Sequence, residues 1–405
     1  MADYDIIIIG AGMVGASLAC ALRGQPLRVA LIEAVPFGAA THSSYDARTT
    51  ALSYGARRTL EGMGLWERLA GQATPIQRIH ISDKGRFGFT RLDSAAQGYP
   101  AYGYVVENQA LGKLFAQAMQ DMAHVELICP ARVEDLDIDA QRAAVTVNAG
   151  ARTSTLHARL VVLADGRKSR LRERLGIATS HSCYEQSAVA ANVTFERAHQ
   201  NTAYERFTPS GPLALLPMDG QRCAMVWTLR DEQLDAVMRL DDDAFLRAVQ
   251  EHFGWRLGRV LKAGARHAYP LVLTRAHELT RARLALVGNA AHTLHPVAGQ
   301  GFNLGLRDVA AIGEVLRDAL RAGQDIGDVQ VLERYAQWRR GDHRTVTALT
   351  DSLVRLFTSD FALLAAARNV GMVAVDVVPF VKDLLVRQGM GLRGRQPRLA
   401  RTLPL

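Results

Sequence analysis

A chain of 405 residues is too long for one ordinary hydrophobic core, so two domains with room for a large buried ligand are expected. With 48% hydrophobic and 22% charged residues the chain is neither disordered nor fibrous. Its net charge of +8, without any nucleic-acid-binding signature, leaves a membrane or partner surface as the use for the excess.

Asp3 and Asp5 stand where a secretory signal would carry positive charge, so Ile6 to Ile9 reads as a buried strand. It runs into Gly10-Ala11-Gly12-Met13-Val14-Gly15, followed by a small-residue helix from about Val14 to Arg23 and a second strand from Leu27 to Glu33. This is half of a dinucleotide-binding unit. Gly10 and Gly12 allow a tight turn and close approach to pyrophosphate, and Gly15 lets helix and strand pack closely. Glu33 can accept hydrogen bonds from ribose hydroxyls. NAD and FAD fit this unit equally well.

Helices are expected from about Ser53 to Leu69 and from Ala110 to Met122, with a hairpin over Ile76 to Leu92 between them. Val125 to Val162 reads as a three-stranded meander ending in a buried strand, Leu160 to Ala164, which enters the turn Asp165-Gly166. Ser182 to Arg230 is again strand-like, with turns at Gly211-Pro212 and Asp219-Gly220, and begins a second sheet. After a helix over Asp241 to Phe253, the apolar strand Leu284 to Val287 runs into the turn Gly288-Asn289, so the first domain is discontinuous. From Asp308 the pattern is helical almost to the end.

Cys20, Cys129, Cys183 and Cys223 form no C-x-x-C pair, which fits a reducing compartment, and no metal site is expected. No run reaches the ~18 apolar residues of a spanning helix. Phe361 to Val386 is interrupted by Arg368, Asn369, Asp376, Pro379, Lys382 and Asp383. Beyond Leu384 there are five arginines and no acid, which suits a surface that rests on lipid or a partner.

The glycine turn, the Asp165-Gly166 turn and the late Gly288-Asn289 turn occur in the order found in the single-component FAD-dependent aromatic hydroxylases, which this chain resembles. The stretch His295-Pro296-Val297-Ala298-Gly299-Gln300-Gly301-Phe302-Asn303, continuing to Asp308, is similar to the ubiquinone-biosynthesis branch of that group. So are Phe207 to Met218, Phe253 to Gly258, Thr350 to Val354 and Arg368 to Gly371, and the likeness spans nearly the whole chain. The expected architecture is α/β. A discontinuous Rossmann-like FAD-binding domain with a β-meander occupies 1–75, 98–181 and 266–345, and a β-sheet substrate domain occupies 76–97 and 182–265. Residues 346–405 form a helical C-terminal segment with a basic tail.

The resemblance implies FAD as cofactor, NAD(P)H as reductant and O2 as co-substrate. It also implies oxygen transfer through a C4a-hydroperoxyflavin to a polyprenylated methoxyphenol in ubiquinone biosynthesis. The enzyme is then expected in the cytoplasm, attached peripherally to the inner membrane through its C-terminus and beside other ubiquinone-synthesis enzymes. Expected cofactor contacts are Gly10, Gly12, Val14, Gly15, Glu33, Arg48, Gln109, Val133, Asp165, Gly166, Gly288, Asn289, Pro296, Gly299, Gly301, Phe302 and Asn303.

Two of these depart from the family pattern. Asn289 stands where the family has an aspartate, and Gln109 where relatives commonly carry an arginine. Gly299 and Gly301 let the backbone approach the flavin ring, and the following helix aims its N-terminus at the pyrimidine oxygens. Arg48 and His295 are the candidate catalytic side chains, and Phe207, Pro209 and Leu216 the candidate substrate lining. The alternatives are a relative acting at another ring position or on a soluble aromatic, and a non-catalytic flavin-binding component. A soluble anionic substrate would call for an arginine-rich pocket.

Overall fold

The protein is described from a computed structural model over residues 2–36, 48–86, 88–150, 152–293, 299–358 and 378–405. The isoleucine run forms the strand Tyr4–Ile9, in which Ile6, Ile7 and Ile8 have no exposed surface. It is apolar on both faces because it is the centre of a parallel sheet covered on both sides. Thr153–Leu163 and Val29–Ile32 flank it in parallel, with Leu284–Leu286 and Val125–Ile128 beyond them. The meander consists of Arg132–Ile138, Ala143–Asn148 and the first half of Thr153–Leu163. Val125–Ile128, read as part of it from the sequence, is instead the parallel edge beside Val29–Ile32.

The helices used below are α1 (Met13–Ala21), α2 (Tyr54–Gly62), α3 (Asn108–Gln120), α4 (Arg170–Arg174), α5 (Asp231–Met238), α6 (Asp242–Phe253), α7 (Gln300–Arg321), α8 (Val329–Thr358) and α9 (Pro379–Gly389). Residues of α1, α3 and α7 pack into one core on one face of the parallel sheet, and the meander closes the other face. The helix expected to reach Leu69 stops at Gly62. Ser53 caps its start by accepting from the Ala56 N–H, Gly64 adopts a left-handed φ of 71°, and a separate short turn, Trp66–Arg68, follows.

Among the described residues the second sheet has nine strands. In spatial order they run His292–Thr293, His267–Ala276, Thr179–Phe195, Arg222–Arg230, Gly211–Pro217, Thr202–Thr208, Arg78–Asp83 and Phe89–Asp93, with Val260–Ala263 also on Thr179–Phe195. His267–Ala276 and His292–Thr293, grouped with the cofactor domain on sequence, hydrogen-bond into this sheet. One face buries Phe195, Leu213 and Trp227 against Phe245 and Phe253 of α6. The opposite face looks toward the parallel sheet. Thr49–Ser53, Gly103–Glu107 and Ala73–Ile76 form a small third sheet.

The arginine-rich end is not a free tail. The Gly55 N–H donates to Met390 O at 2.9 Å, the Arg398 N–H to Glu314 Oε2 at 2.6 Å, and Arg395 stacks over Trp338 at 3.8 Å. Leu399 is buried against Gly62 of α2. The apolar surface at this end is carried by α9 instead, where Phe380 is 76% exposed beside exposed Leu384 and Leu385.

Candidate functional site

Ile9, Leu163 and Leu286 are neighbours in register, so the three turns that follow them emerge side by side at the carboxyl edge of the parallel sheet. That edge is where open α/β sheets bind ligands. The turns fit against one another closely enough to exclude side chains. A Cβ on Gly15 would lie 1.9 Å from Gly10 O, and one on Gly288 would lie 2.8 Å from Val14 Cγ2.

Two helix N-termini open here, and among the described residues the N-cap positions Gly12 and Gly299 supply no side-chain cap. α1 begins after Gly12, and α7 begins after Gly299, which takes a left-handed φ of 61°. Uncapped first-turn N–H groups together with the helix dipole make each a receptor for phosphate or carbonyl oxygen. Both border a cavity of about 2420 Å³. An ordinary small-molecule site occupies ~300–1,000 Å³, so there is room for a dinucleotide and a second ligand.

Thirteen of the expected cofactor residues lie in this wall: Gly10, Gly12, Val14, Glu33, Arg48, Val133, Asp165, Gly166, Asn289, Gly299, Gly301, Phe302 and Asn303. Glu33 accepts from the Ala11 N–H at 2.7 Å and the Val35 N–H at 2.9 Å, which fixes the glycine turn and sets a carboxylate in the cavity wall. Among the described residues, the buried Oδ1 of Asp165 has no hydrogen-bond partner. Burial pushes its carboxyl up to about 6, with Ser169 pulling the other way. A hydroxyl or N–H on a bound dinucleotide would satisfy that oxygen, so the residues present fit FAD.

The other expectations shift. Gly15 and Gly288 lie behind the wall and act through packing. Gln109 is exposed at the start of α3 and is not in the wall. Its neighbour Asn108 is, with Oδ1 accepting from Thr50 Oγ1 at 2.7 Å. Helical spacing decides this, because adjacent helical residues point in directions about 100° apart.

The Asn303 side chain is committed internally, accepting from the Ser53 N–H at 2.8 Å and donating to Ala51 O and Gly299 O. It therefore ties the small sheet to the start of α7. Arg48 sits over the Tyr269 ring at 4.6 Å, joining the two halves of the cavity. His295 and Pro296, like Arg368 to Gly371, lie outside the described residues.

The far half of the cavity is floored by the second sheet. Phe207 and Leu216 line it, whereas Pro209 is exposed in the turn after Thr202–Thr208 and does not. What the sequence reading missed is the small size of this face: Ala188, Ala190, Ala203, Ala214 and Ala224 occupy inward positions where strands usually carry branched side chains. The space they leave is the cavity. The signal was present as alanines alternating with Val189, Leu213, Leu215 and Met225 of the opposite core. Val346, Leu349 and Thr350 of α8 and Leu385, Val386 and Met390 near the C-terminus complete the walls.

Asp308, fully buried in α7, lies behind the Gly288 turn. Its Oδ2 accepts from the Gly288 N–H at 3.1 Å and pairs with His292 Nε2 at 2.8 Å, and its Oδ1 accepts from Arg339 Nε at 2.8 Å and pairs with His343 Nε2 at 2.7 Å. Burial alone would raise its carboxyl. The surrounding His343, His292 and Arg339 outweigh that and hold it well below the usual carboxylate range.

Burial pushes His343 down to about 4 against the pull of Asp308, so it is neutral at pH 7 and donates a hydrogen bond. The two histidines and Asp308 present atoms close enough for a metal. Both carboxylate oxygens are already engaged, one by a guanidinium whose charge opposes a cation, so the cluster reads as a hydrogen-bonded hub.

The fold and the site define a FAD-dependent hydroxylase. A profile described as "FAD binding domain" matches residues 3–350, and the chain belongs to that family. It is 40% identical over 405 residues to "Ubiquinone hydroxylase UbiL" of Rhodospirillum rubrum, a match covering 99% of this chain and 93% of that protein. It is 31% identical over 390 residues to "3-demethoxyubiquinol 3-hydroxylase" of Escherichia coli, covering 96% and 98%. Among solved structures, p-nitrophenol 4-monooxygenase PnpA from Pseudomonas putida DLL-E4 has the same fold, with a TM-score of 0.80 at 19% identity over 96% of this chain and 98% of that one.

Proposed function

We propose that this protein hydroxylates a polyprenylated methoxyphenol in ubiquinone biosynthesis, using FAD, NAD(P)H and O2. One observation carries the reading: the cavity continues from the FAD-fitting turns onto an alanine floor with no arginine or lysine among its described residues. A soluble aromatic acid would want a cation there, whereas an uncharged ring with an isoprenoid chain wants apolar room. Curated relatives carry ubiquinone-hydroxylase names along nearly their whole length.

Bound FAD, reduced by NAD(P)H, would activate O2 and supply one oxygen atom to the ring. The protein's own contribution is positioning and shielding. The α1 N-terminus and Gly10 to Val14 would hold the pyrophosphate and Glu33 the ribose, while Asp165 and Asn289 offer hydrogen bonds along the chain between. Gly299 to Phe302 at the α7 N-terminus would meet the ring. Phe207, Leu216, Val346 and Met390 exclude water that would otherwise compete for the activated oxygen.

The test is direct: holoenzyme, NAD(P)H and O2 with a short-chain 2-prenyl-6-methoxyphenol should give hydroxylated product, and gene deletion should cause the prenylphenol precursor to accumulate. Normal quinone synthesis in the deletion strain would overturn the reading.

Such a substrate resides in lipid, so cytoplasmic location with peripheral attachment to the inner membrane is part of the same proposal. Among the described residues no helix is long and apolar enough to cross a membrane. The α9 helix exposes Phe380, Leu384 and Leu385 beside Lys382 and Arg387, and Leu385 also borders the cavity. Phe380→Asp should reduce co-sedimentation with anionic liposomes; unchanged binding would refute attachment through α9.

A further inference from the structure

We propose, on the reading that the cavity takes a phenol, that Glu205 is the catalytic group that receives the phenolic proton during ring hydroxylation. Glu205 lies in the strand Thr202–Thr208 between Ala203 and Phe207, which line the cavity with it. Tyr204 on the opposite face packs into the α6 core, and Arg206 donates to Phe253 O at 2.7 Å. In register, Glu205 sits beside Ala214 on one neighbouring strand and Ile81 on the other. A carboxyl has thus been placed among alanine, isoleucine and phenylalanine on the cavity floor.

Among the described residues no hydrogen bond or ion pair engages this carboxyl. Leaving an acid unpaired in apolar surroundings is costly, and native proteins retain such groups where a ligand supplies the missing partner. The partner must be a donor, and a phenol O–H is the donor that this cavity is shaped to receive. Burial pushes the carboxyl up to about 7, so near neutral pH it exchanges a proton readily.

The charged and titratable groups nearby do not override this. On the same face of Arg78–Asp83, Asp83 is paired with Arg86 at 3.6 Å, and His80 belongs to the other face. Phe89–Asp93 presents Thr90 and Leu92 to the cavity, and Gly211–Pro217 presents Pro212, Ala214 and Leu216. From α8 come Val346, Leu349 and Thr350, while His267 and Tyr269 line the floor from His267–Ala276.

The proton accounting closes. As the new C–O bond forms, the phenol O–H bond breaks and its proton moves to the Glu205 carboxylate, raising electron density at the attacked carbon. That carbon then loses its hydrogen as a proton to solvent, aromaticity returns, and Glu205 returns its proton to the phenol oxygen; the second oxygen takes up a proton from solvent as it becomes water. One oxygen atom of O2 enters the ring and the other leaves as water, with the two electrons supplied by NAD(P)H through FAD.

The experiment compares wild-type, Glu205→Gln and Glu205→Asp holoenzymes with NAD(P)H, O2 and short-chain 2-prenyl-6-methoxyphenol. Bound flavin and its reduction should be unchanged in both variants. In Glu205→Gln, kcat for hydroxylation should fall about 100-fold with little change in KM, and the consumed NAD(P)H should appear as hydrogen peroxide. The wild-type rise of kcat with pH near neutrality should vanish in Glu205→Gln and return in part in Glu205→Asp. A Glu205→Gln enzyme with wild-type kcat and pH profile overturns this assignment alone. Wild-type holoenzyme whose flavin is reduced but which hydroxylates no prenylphenol overturns both the assignment and the substrate reading.

Discussion

Asp308→Ala removes the acceptor for four donors at once. In the native chain those donors come from the Gly288 turn, from His292, and from Arg339 and His343 on α8. Arg339 keeps its contact with Asp342 but stays buried and loses its Asp308 partner. Breaking a buried ion pair from one side costs ~3–5 kcal/mol. Added orphaned donors keep the expected loss near the middle of that range, about 4 kcal/mol, and at roughly 2 °C per kcal/mol or less in a chain of this size Tm should fall by up to ~8 °C.

The loss should extend to the cofactor, because Asp308 holds the N–H of Gly288 and Asn289, next along the turn, lines the cavity. A tenfold weaker Kd for FAD corresponds to ~1.4 kcal/mol and is the expected minimum. Differential scanning fluorimetry with and without added FAD, and flavin fluorescence titration, would measure both effects. The double variant Asp308→Leu with Arg339→Met should recover much of the stability without restoring FAD affinity, since it removes the stranded charge but not the broken turn. An Asp308→Ala protein that loses less than about 1 kcal/mol and binds FAD normally would refute the hub.

Three other outcomes follow from the geometry. His343 is held neutral by burial at about 4 rather than its ordinary 6.5, so its stabilising effect is present above 6.5 and is lost as pH falls toward 4, about 3 kcal/mol in all; His343→Gln should flatten that part of a denaturant-measured stability profile, and an unchanged slope would refute it. Gly15→Ala places a Cβ 1.9 Å from Gly10 O and should yield protein purified without flavin absorbance, so normal FAD content would sink the turn geometry. Ala214→Leu intrudes on open cavity rather than packed core, so Tm should move by less than ~2 °C while KM for a long-chain prenylphenol rises at least tenfold. Unchanged KM would show that the chain lies elsewhere.

The cofactor half was legible because its chemistry is local. A turn that must approach a pyrophosphate needs glycine at fixed spacing after a strand, and Gly10, Gly12 and Val14 are found in the cavity wall as that spacing requires. Gln109 was misjudged because position along a helix start sets direction to within one residue, and Asn108 faces inward instead. Pro209 looked apolar enough to line a pocket but stands in an exposed turn. The arginine-rich end reads from the sequence as a basic tail for lipid or a partner, yet Glu314 and Trp338, far away in sequence, hold it to the body of the protein.

By itself the sequence determined the FAD-binding frame, the existence of a second sheet and the chain's membership among flavin hydroxylases, because each depends on contacts between residues near in the chain. Only the tertiary structure decided where the alanine-floored half of the cavity lies. Its floor gathers five alanines from four strands, the Glu205 carboxyl is recognisable as unpaired among the described residues only once the neighbouring strands are in register, and the buried Asp308 joins segments that meet only after α7 and α8 have packed. Those features are made by register and packing between distant segments; alanines alternating along a strand mark a small face, but not which strands share it or what it encloses.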